Sequence, residues 1–381
     1  MHTYVIHPSA PLVFRSGKPF GVGGRDGANF PWPSSIAGAL RTVWWDNGND
    51  LVAAEQLLNM CSVGPLLALV NNNQITPLLP KPSDALYLLD EDDASNGKTL
   101  HRLVPGRFKP GTGSNLPTGL LPISTQGSPV GKPQSGPGFW RLEDVLNWQR
   151  GASLEFDALD TIKPITLETR THVGIDRDWG AAEPGRLFQT EGLVFHQSAL
   201  SQEDAVSEQT HALIVQFSAD LPDGLAMTLG GERRLSWLSH TDGSVLALPA
   251  EHRAALQAAK GLVIHLATPA LFGAGWRPDW LNDELEGTPP GCKGLKLRLK
   301  AVAMERWQSV SGWDLANNRP RAARKAVPAG TVYWFEIVSQ AGSDWADMLW
   351  LSALSDQEQD RLNGFGLAVP GPWNNLSGET A

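Results

Sequence analysis

The segment Phe-Pro-Trp-Pro-Ser-Ser at residues 30–35 determines where the first helix of this chain begins. Pro33 has a fixed φ and no backbone N–H, so it is excluded from a helix interior and accepted at the first helical position. Ser34 or Ser35 can cap the free N–H groups that follow, and apolar residues then recur at helical spacing. The sequence therefore predicts a capped amphipathic helix that begins at this segment.

Two residues inside this helix indicate a phosphate site. Gly38 occupies a helical position where glycine costs about 1 kcal/mol relative to alanine, which favours close approach by another backbone, a strand or a ligand. Arg41 follows one turn later on nearly the same face. A helix start, a close approach and a cation in one place suit a phosphate group. A capped helix with a surface arginine explains the same residues.

A glycine-rich basic segment precedes the helix. Residues 3–7 read as a short strand, and the basic segment, residues 15–27, contains five glycines and the cations Arg15, Lys18 and Arg25. This order of strand, flexible loop and helix can hold phosphates on backbone N–H groups. The segment lacks both the Gly-Lys-Ser/Thr of a Walker loop and the third glycine of a dinucleotide fingerprint. We therefore expect no nucleotide cofactor, and no other cofactor.

Composition narrows the function classes. The net charge of −9 argues against a free-standing, non-specific nucleic-acid binder, although it allows a local basic patch. Cys61 and Cys292 lie far apart and the nine histidines are scattered, so we expect neither a disulfide framework nor a metal site. The sequence has no run of transmembrane length and no signal-peptide pattern, and we expect a cytoplasmic protein.

Strand patterns in both halves predict two α+β domains with antiparallel sheets, divided near residues 195–215 into domains of residues 1–200 and 201–381. Residues 105–138 are rich in Gly, Pro, Ser and Thr and read as a long insertion. Residues 165–191 read as a β-hairpin arm that carries Arg170, His172 and Arg177. Residues 295–301 alternate leucines with Lys and Arg, which predicts a strand with one cationic face, suited to phosphate or to solvent.

Sequence patterns for catalysis are weak. No Gly-x-Ser-x-Gly nucleophile elbow occurs. Metal-free RNA cleavage would need a base near the 2′-hydroxyl, and His172 is the best-placed histidine. Paired carboxylates for glycoside hydrolysis could come only from unremarkable acidic residues such as Asp157 and Glu168. No set of residues requires an enzyme.

Six segments, taken together, resemble a known family. They are residues 15–21 with 33–41, 170–176, 187–191, 229–234, 268–276 and 364–366. In this order they are similar to the third subunit of the type III-B CRISPR (Cmr) effector complex, a member of the RAMP superfamily. The resemblance covers residues 4–367.

This resemblance implies two ferredoxin-like (RRM-like) domains with long insertions and a β-hairpin thumb. It implies a non-catalytic subunit that binds the 5′ repeat-derived tag of the guide RNA in antiviral defence. It also implies docking to the large polymerase-like subunit and to backbone RAMP subunits of a ribonucleoprotein.

The residues that the resemblance places near RNA come from four segments. They are Arg15, Lys18, Ser34, Ser35, Gly38, Arg41, Arg170, His172, Arg177, Gly364, Phe365 and Gly366. Arginines would pair phosphates, glycines would let the backbone approach, and Trp32 or Phe365 could stack on a base.

Three alternatives stay open on the sequence. The chain could be a repeat-processing endoribonuclease of the same superfamily, with His172 as base. It could be a protein-only adaptor whose basic residues 319–325 bind acidic partner surfaces. It could also be a carbohydrate-binding module that uses some of its fifteen tryptophans.

Overall fold

A computed structural model describes residues 1–14, 25–48, 52–71, 74–89, 97–127, 129–195, 210–314 and 319–375. Its strands are β1 (His2–Pro8), β2 (Arg25–Asp26), β3 (Ser62–Asn71), β4 (Gln74–Pro80), β5 (Ala85–Leu89), β6 (Lys98–Pro105), β7 (Ile123–Thr125), β8 (Lys132–Pro133), β9 (Phe139–Arg141), β10 (Thr166–Ile175), β11 (Ala182–Val194), β12 (Thr210–Phe217), β13 (Leu225–Leu229), β14 (Arg234–Thr241), β15 (Gly261–Leu266), β16 (Glu286–Gly287), β17 (Leu295–Ala303), β18 (Gln308–Val310), β19 (Trp313–Asp314), β20 (Arg319–Pro320), β21 (Arg324–Ala326), β22 (Val332–Gln340) and β23 (Ala368–Trp373). Its helices are α1 (Pro33–Asp46), α2 (Ala54–Leu58), α3 (Leu142–Gln149), α4 (Phe156–Leu159), α5 (Ala250–Gln257), α6 (Trp345–Leu349) and α7 (Glu358–Leu362), with a 3₁₀ turn at Gly243–Leu246. A mixed, strand-rich architecture is therefore confirmed.

The first sheet contains seven strands in the order β13-β14-β1-β12-β3-β4-β9, and every pair in it is antiparallel. Helix α1 covers one face, because Ile36 and Leu40 pack into a core that includes Tyr4 and Leu213. The helix predicted to begin within residues 30–35 is thereby confirmed, and its buried face holds it on the sheet.

Strands from beyond residue 200 complete this sheet. Tyr4 pairs with Val215 of β12 on one side and with His240 of β14 on the other. The expected division into residues 1–200 and 201–381 therefore separates β1 from both of its hydrogen-bonded neighbours. Sheet membership places the change from one sheet to the next after β14, which ends at Thr241.

The second sheet contains five strands in the order β16-β17-β22-β15-β23. Its strand β17 has the predicted alternation, with the three leucines buried. The cationic face of β17 is occupied by ion pairs, since Lys296 and Arg298 both bind Glu286 and Arg298 also binds Glu336 at 3.1 Å. These cations are neutralised within the protein and form an ordinary solvent-facing network.

The predicted insertion at residues 105–138 is largely exposed in its described part, but it is fixed to the second sheet. Leu120 is buried in the core of that sheet, and the Leu121 N–H donates to the Lys300 carbonyl at 2.7 Å. In the described part of the chain, no helix is long and apolar enough to cross a membrane.

The two sheets meet around a buried carboxyl group. Asp84 accepts a hydrogen bond from the Trp148 indole N–H at 3.0 Å, and the Arg102 guanidinium lies 3.5 Å from the Trp148 ring centroid. Next to it, the Ser83 N–H donates to the Gly330 carbonyl of the second half at 2.8 Å. Burial raises the pKa of Asp84 to about 6, and the nearby Arg102 charge opposes that shift only in part.

We expect Asp84→Asn to alter how stability depends on pH. Unfolded aspartate titrates near about 3.9, so the folded protein retains a proton that the unfolded chain has released between about pH 4 and 6. Wild-type stability should fall as pH rises across this window, by on the order of 2–3 kcal/mol. Urea unfolding at a series of pH values should show this fall in wild type and not in Asp84→Asn. Parallel pH profiles would contradict the assignment.

Candidate nucleic-acid interface

The start of α1 is set by its prolines and not by its serines. Trp32 is the N-cap residue, with φ −69° and ψ 140°, and no side chain caps the helix. Ser34 and Ser35 lie in the first helical turn, half-buried, so the prediction that one of them caps the helix is wrong. Pro33 occupies the first helical position, because its fixed φ suits a helix start and leaves the cap to the residue before it.

Gly38 is half-buried, and a Cβ built on it would meet none of the described residues within 4 Å. The predicted close approach at this position is therefore not made by any described part of the chain. The Thr42 hydroxyl donates to the Gly38 carbonyl at 2.9 Å, which places two small polar positions on one partly exposed side of α1.

Arg41 points into the protein. It is 6% exposed, and its guanidinium donates to Asn363 Oδ1 at 2.6 Å and to the Met60 carbonyl at 2.7 Å. Burial lowers its pKa, and the nearby Cys61 opposes that shift. The predicted role in phosphate contact does not fit this geometry, because these donors serve protein acceptors. The sequence contains an indication of this burial, because Arg41 follows Ala37 by four positions and so lies on the buried side of the helix.

The loop that contains Gly364, Phe365 and Gly366 is also buried, between the two halves. Gly364 has φ +90°, and a Cβ there would lie 2.7 Å from the Gly64 carbonyl oxygen of β3. Phe365 is 2% exposed and belongs to the same apolar cluster as Trp32. Neither ring is available to stack on a base, so this predicted role is wrong for both. We call the contact between this loop and the first half, together with the Arg41–Asn363 hydrogen bond, the junction.

Arg41→Ala should destabilise the protein by about 2–4 kcal/mol, because it leaves the buried acceptors on Asn363 and Met60 without their donor. Arg177→Ala, an exposed arginine, should change stability by less than about 0.5 kcal/mol. Thermal unfolding of both variants measures the difference. An Arg41→Ala protein of unchanged stability that has lost RNA binding would instead support the original prediction.

The predicted β-hairpin arm is confirmed, as strands β10 and β11 pair from Thr166↔Val194 to Ile175↔Ala182. His172 lies on it with its ring stacked on Phe188, at a centroid distance of 5.1 Å and an interplanar angle of 15°. Its Nε2 is 2.8 Å from the Thr190 hydroxyl. The imidazole is therefore held by two neighbours on the opposite strand.

The cations of the arm differ in their surroundings. Arg170 is partly exposed and pairs with Glu168, which raises its pKa, and Glu232 of another segment adds to this shift. Arg177 is exposed in the turn at the tip, where no described residue pairs with it. Trp179 in the same turn is 85% exposed.

Three parts of the chain meet at the base of the arm. Leu12 and Leu193 exchange backbone hydrogen bonds of 2.9 and 2.8 Å, and Val13 accepts from the Gly231 N–H at 2.7 Å. Strand β2 pairs in parallel with β11 at Gln189 and Thr190. Arg15 and Lys18 lie outside the described residues, but the chain on both sides of them is attached to this base.

The tight turn between β13 and β14 is the third part, and its residues are not among the site residues expected from the sequence. Gly230, Glu232 and Arg233 have φ of 65°, 63° and 50°. Arg234 pairs with Glu232, whereas Arg233 is exposed and no described residue pairs with it. The sequence contains a signal for this turn, since two glycines followed by Glu-Arg-Arg lie between two strands.

Gly230→Ala should loosen this meeting point. At Gly230 a Cβ would lie 2.6 Å from the Val13 carbonyl oxygen, whereas at Gly224, with φ +70°, a Cβ would meet nothing within 4 Å. Gly224→Ala therefore carries only the backbone strain, about 1–2 kcal/mol, and Gly230→Ala carries the clash in addition. Urea unfolding should show the larger loss for Gly230→Ala. Equal losses would mean that the Val13 contact is unimportant.

The base of the arm is a surface and not a cavity. The space enclosed by Pro11, Arg170, Thr190 and Arg234 has a volume of about 10 Å³, no more than one water molecule occupies. Among the described residues, no group of three or more His, Cys, Asp or Glu side chains could hold a metal ion. Exposed arginines, backbone and an aromatic arm can bind an extended polyanion along this surface.

A model of the CRISPR-associated protein family Cas_Cmr3 matches residues 4–373. The chain belongs to the Cmr3 family. The resemblance drawn from the six segments to the third subunit of the type III-B Cmr effector complex is therefore confirmed over nearly the whole chain. The matched residues include the arm, the β13–β14 turn and the junction.

Solved structures similar to this Cmr3 family member include two chains from cryo-EM structures of a type III-B Cmr-beta complex bound to cognate target RNA, one of them with AMPPnP. Their sequences are 16% and 15% identical, each match covers 87% of this chain and 86% of the other, and both TM-scores are 0.48. A chain from a crystal structure of the Csm3-Csm4 subcomplex of the type III-A interference complex is 12% identical, with coverage of 98% and 100% and a TM-score of 0.37. The comparison with curated protein sequences gives no match.

Proposed function

We propose that this Cmr3 family member binds the 5′ repeat-derived tag of the guide RNA at the base of its arm. The observation that supports this proposal most directly is that three segments contact one another there: the arm, the β13–β14 turn and the two flanks of the basic segment. Each of these segments brings cations, and they do so in a chain of net charge −9. Phosphate contacts of this kind hold single-stranded RNA without a cavity.

The residues that would hold the tag come from the set that the resemblance places near RNA, without the buried residues Arg41, Gly364, Phe365 and Gly366. Arg15, Lys18 and Arg170 would pair with phosphates, and Arg233 joins them because it is exposed beside the arm base. Ser34, Ser35 and Gly38 lie on the partly exposed side of α1 and would let a backbone approach. His172 and Arg177 would contact RNA further along the arm.

Docking to the large polymerase-like subunit and to backbone RAMP subunits is the second part of the proposal. The outer half of the arm supports it, since Val173, Ile175, Trp179 and Leu187 are all exposed there. Apolar side chains that are clustered on an exposed hairpin favour an interface with another macromolecule.

We also propose that the chain contains two ferredoxin-like domains. The strand orders β14-β1-β12-β3 and β23-β15-β22-β17 both read 4-1-3-2 when the strands of each core are numbered along the chain. This is the order of a split β-α-β-β-α-β unit. Helix α1 joins strands one and two of the first core, and α6 and α7 join strands three and four of the second. The second domain would begin after β14.

Recognition without cutting is the favoured activity. The imidazole of His172, the candidate base, is stacked on Phe188 and bound to the Thr190 hydroxyl. Incubation of the purified chain with repeat RNA should give no cleavage products. Cleavage that is lost in His172→Ala would overturn this part of the proposal in favour of an endoribonuclease.

Arg15→Glu combined with Lys18→Glu should weaken binding of tagged guide RNA by the assembled complex. Loss of two phosphate contacts should lower the slope of log K against log salt by about 1.4, since each contact to a single strand contributes about 0.7. The control is Lys260→Glu with Lys293→Glu, two exposed lysines on the second half. Equal affinity and slope in both double variants would overturn the proposed tag site.

A further inference from the structure

A second β-hairpin, which we call the basic hairpin, comprises residues 304–314 and 319–326 of the described chain. In it β18 pairs with β21, and β19 pairs with β20. It leaves the second sheet between β17 and β22, whereas the arm lies in the segment that joins β3 to β12. Both hairpins therefore follow the second strand of a 4-1-3-2 core and precede the third.

The base of the basic hairpin is fixed beside the start of α1. Val310 and Ala326 are buried in one cluster with Trp32 and Phe365. Arg324 donates to both carboxylate oxygens of Asp360, at 2.9 and 2.6 Å. A buried apolar base and a bidentate ion pair hold the hairpin in place next to the partly exposed end of the helix.

The outer cations of the basic hairpin are not neutralised by the protein. Arg306, Arg319, Arg321 and Lys325 are exposed, and none of them forms an ion pair with any residue that the structure describes. The three cations of β17, in the same sheet, all lie within 4 Å of Glu286 or Glu336. In a chain of net charge −9, four such cations on one hairpin form a local positive surface.

An exposed indole lies beside one of these cations. Trp307 is 49% exposed, and Lys325 Nζ lies 5.1 Å from its ring centroid. A base can stack on an exposed indole while neighbouring cations bind its phosphates, the usual combination for single-stranded RNA. An acidic protein surface would use the cations alone and gives no reason for the exposed ring.

We propose that the basic hairpin is a second RNA-binding surface that holds single-stranded RNA outside the tag, with phosphates on Arg319 and Arg321 and a base on Trp307. This second proposal rests on the proposed function, because the RNA on the basic hairpin would continue from the tag site past α1. It extends the RNA contacts of the chain from the first half to the second.

The test uses the full-length chain and two labelled RNAs, a guide RNA with its 5′ tag and the same RNA without it. Arg319→Glu with Arg321→Glu should lower the affinity for both RNAs by about tenfold or more and lower the slope of log K against log salt by about 1.4. The preference for the tagged RNA should be kept. Lys260→Glu with Lys293→Glu, a pair with equal charge change at the opposite end of the second sheet, should behave as wild type.

Variants at Trp307 distinguish the contribution of base stacking from that of charge. Trp307→Ala should lower the affinity for the untagged RNA by about tenfold without a change in salt slope. Trp307→Phe, which keeps an aromatic ring, should retain most of the wild-type affinity. Crosslinking of 4-thiouridine RNA should reach Trp307 in wild type. No crosslink and no effect of Trp307→Ala would overturn base stacking at this ring.

Failure of this inference is distinguishable from failure of the tag site. Wild-type preference for tagged RNA, with hairpin variants that bind both RNAs as wild type does, would overturn only the second surface. Equal binding of the two RNAs by wild type would overturn the tag proposal. A polyglutamate peptide that binds wild type and not Arg319→Glu with Arg321→Glu, with RNA binding unchanged, would assign the hairpin to an acidic protein partner.

Discussion

The pairing of β1 with β12 and β14 is the constraint on which the other features depend. Through it, residues 2–8 lie between strands that are more than 200 positions later in the chain. The segment that leaves β1 therefore emerges beside the β13–β14 turn and the base of the arm. The described residues on both sides of the basic segment, which is remote in sequence from the arm, thus lie at the base of the arm. Contacts of such sequence separation form only after costly loop closure, which the buried core of the first sheet offsets.

Local patterns predicted most of the elements, because their physical causes are local. Pro33 excludes a helix on its N-terminal side, and the alternation in β17 specifies a strand with one buried face. The arm could be predicted for the same reason. The extent of the first sheet could not, since no local signal in residues 210–241 states which strands they pair with. Residue types alone also mislead where a polar side chain is buried, as for Arg41, whose partners Met60 and Asn363 come from distant segments.

The junction explains why several residues that looked suited to RNA are instead structural. Gly364 must be glycine because its φ of +90° coincides with a backbone approach from β3. Phe365 and Trp32 fill an apolar cluster, and Arg41 satisfies acceptors that burial would otherwise leave unpaired. Glycine, aromatic and cationic residues serve close packing between the two halves of the chain for the same reasons that they serve RNA. Exposure, which only the fold reveals, separates the two uses.

The ion pairs at the arm base have a consequence for what can bind there. Arg170 and Arg234 already have carboxylate partners in Glu168 and Glu232. An incoming phosphate must displace a carboxylate, so the gain at each arginine is the difference between two similar attractions. A lone phosphate or mononucleotide gains little from one such exchange. A chain of linked phosphates would make both exchanges after a single loss of translational freedom, so the proposed tag site would favour longer anions over short ones.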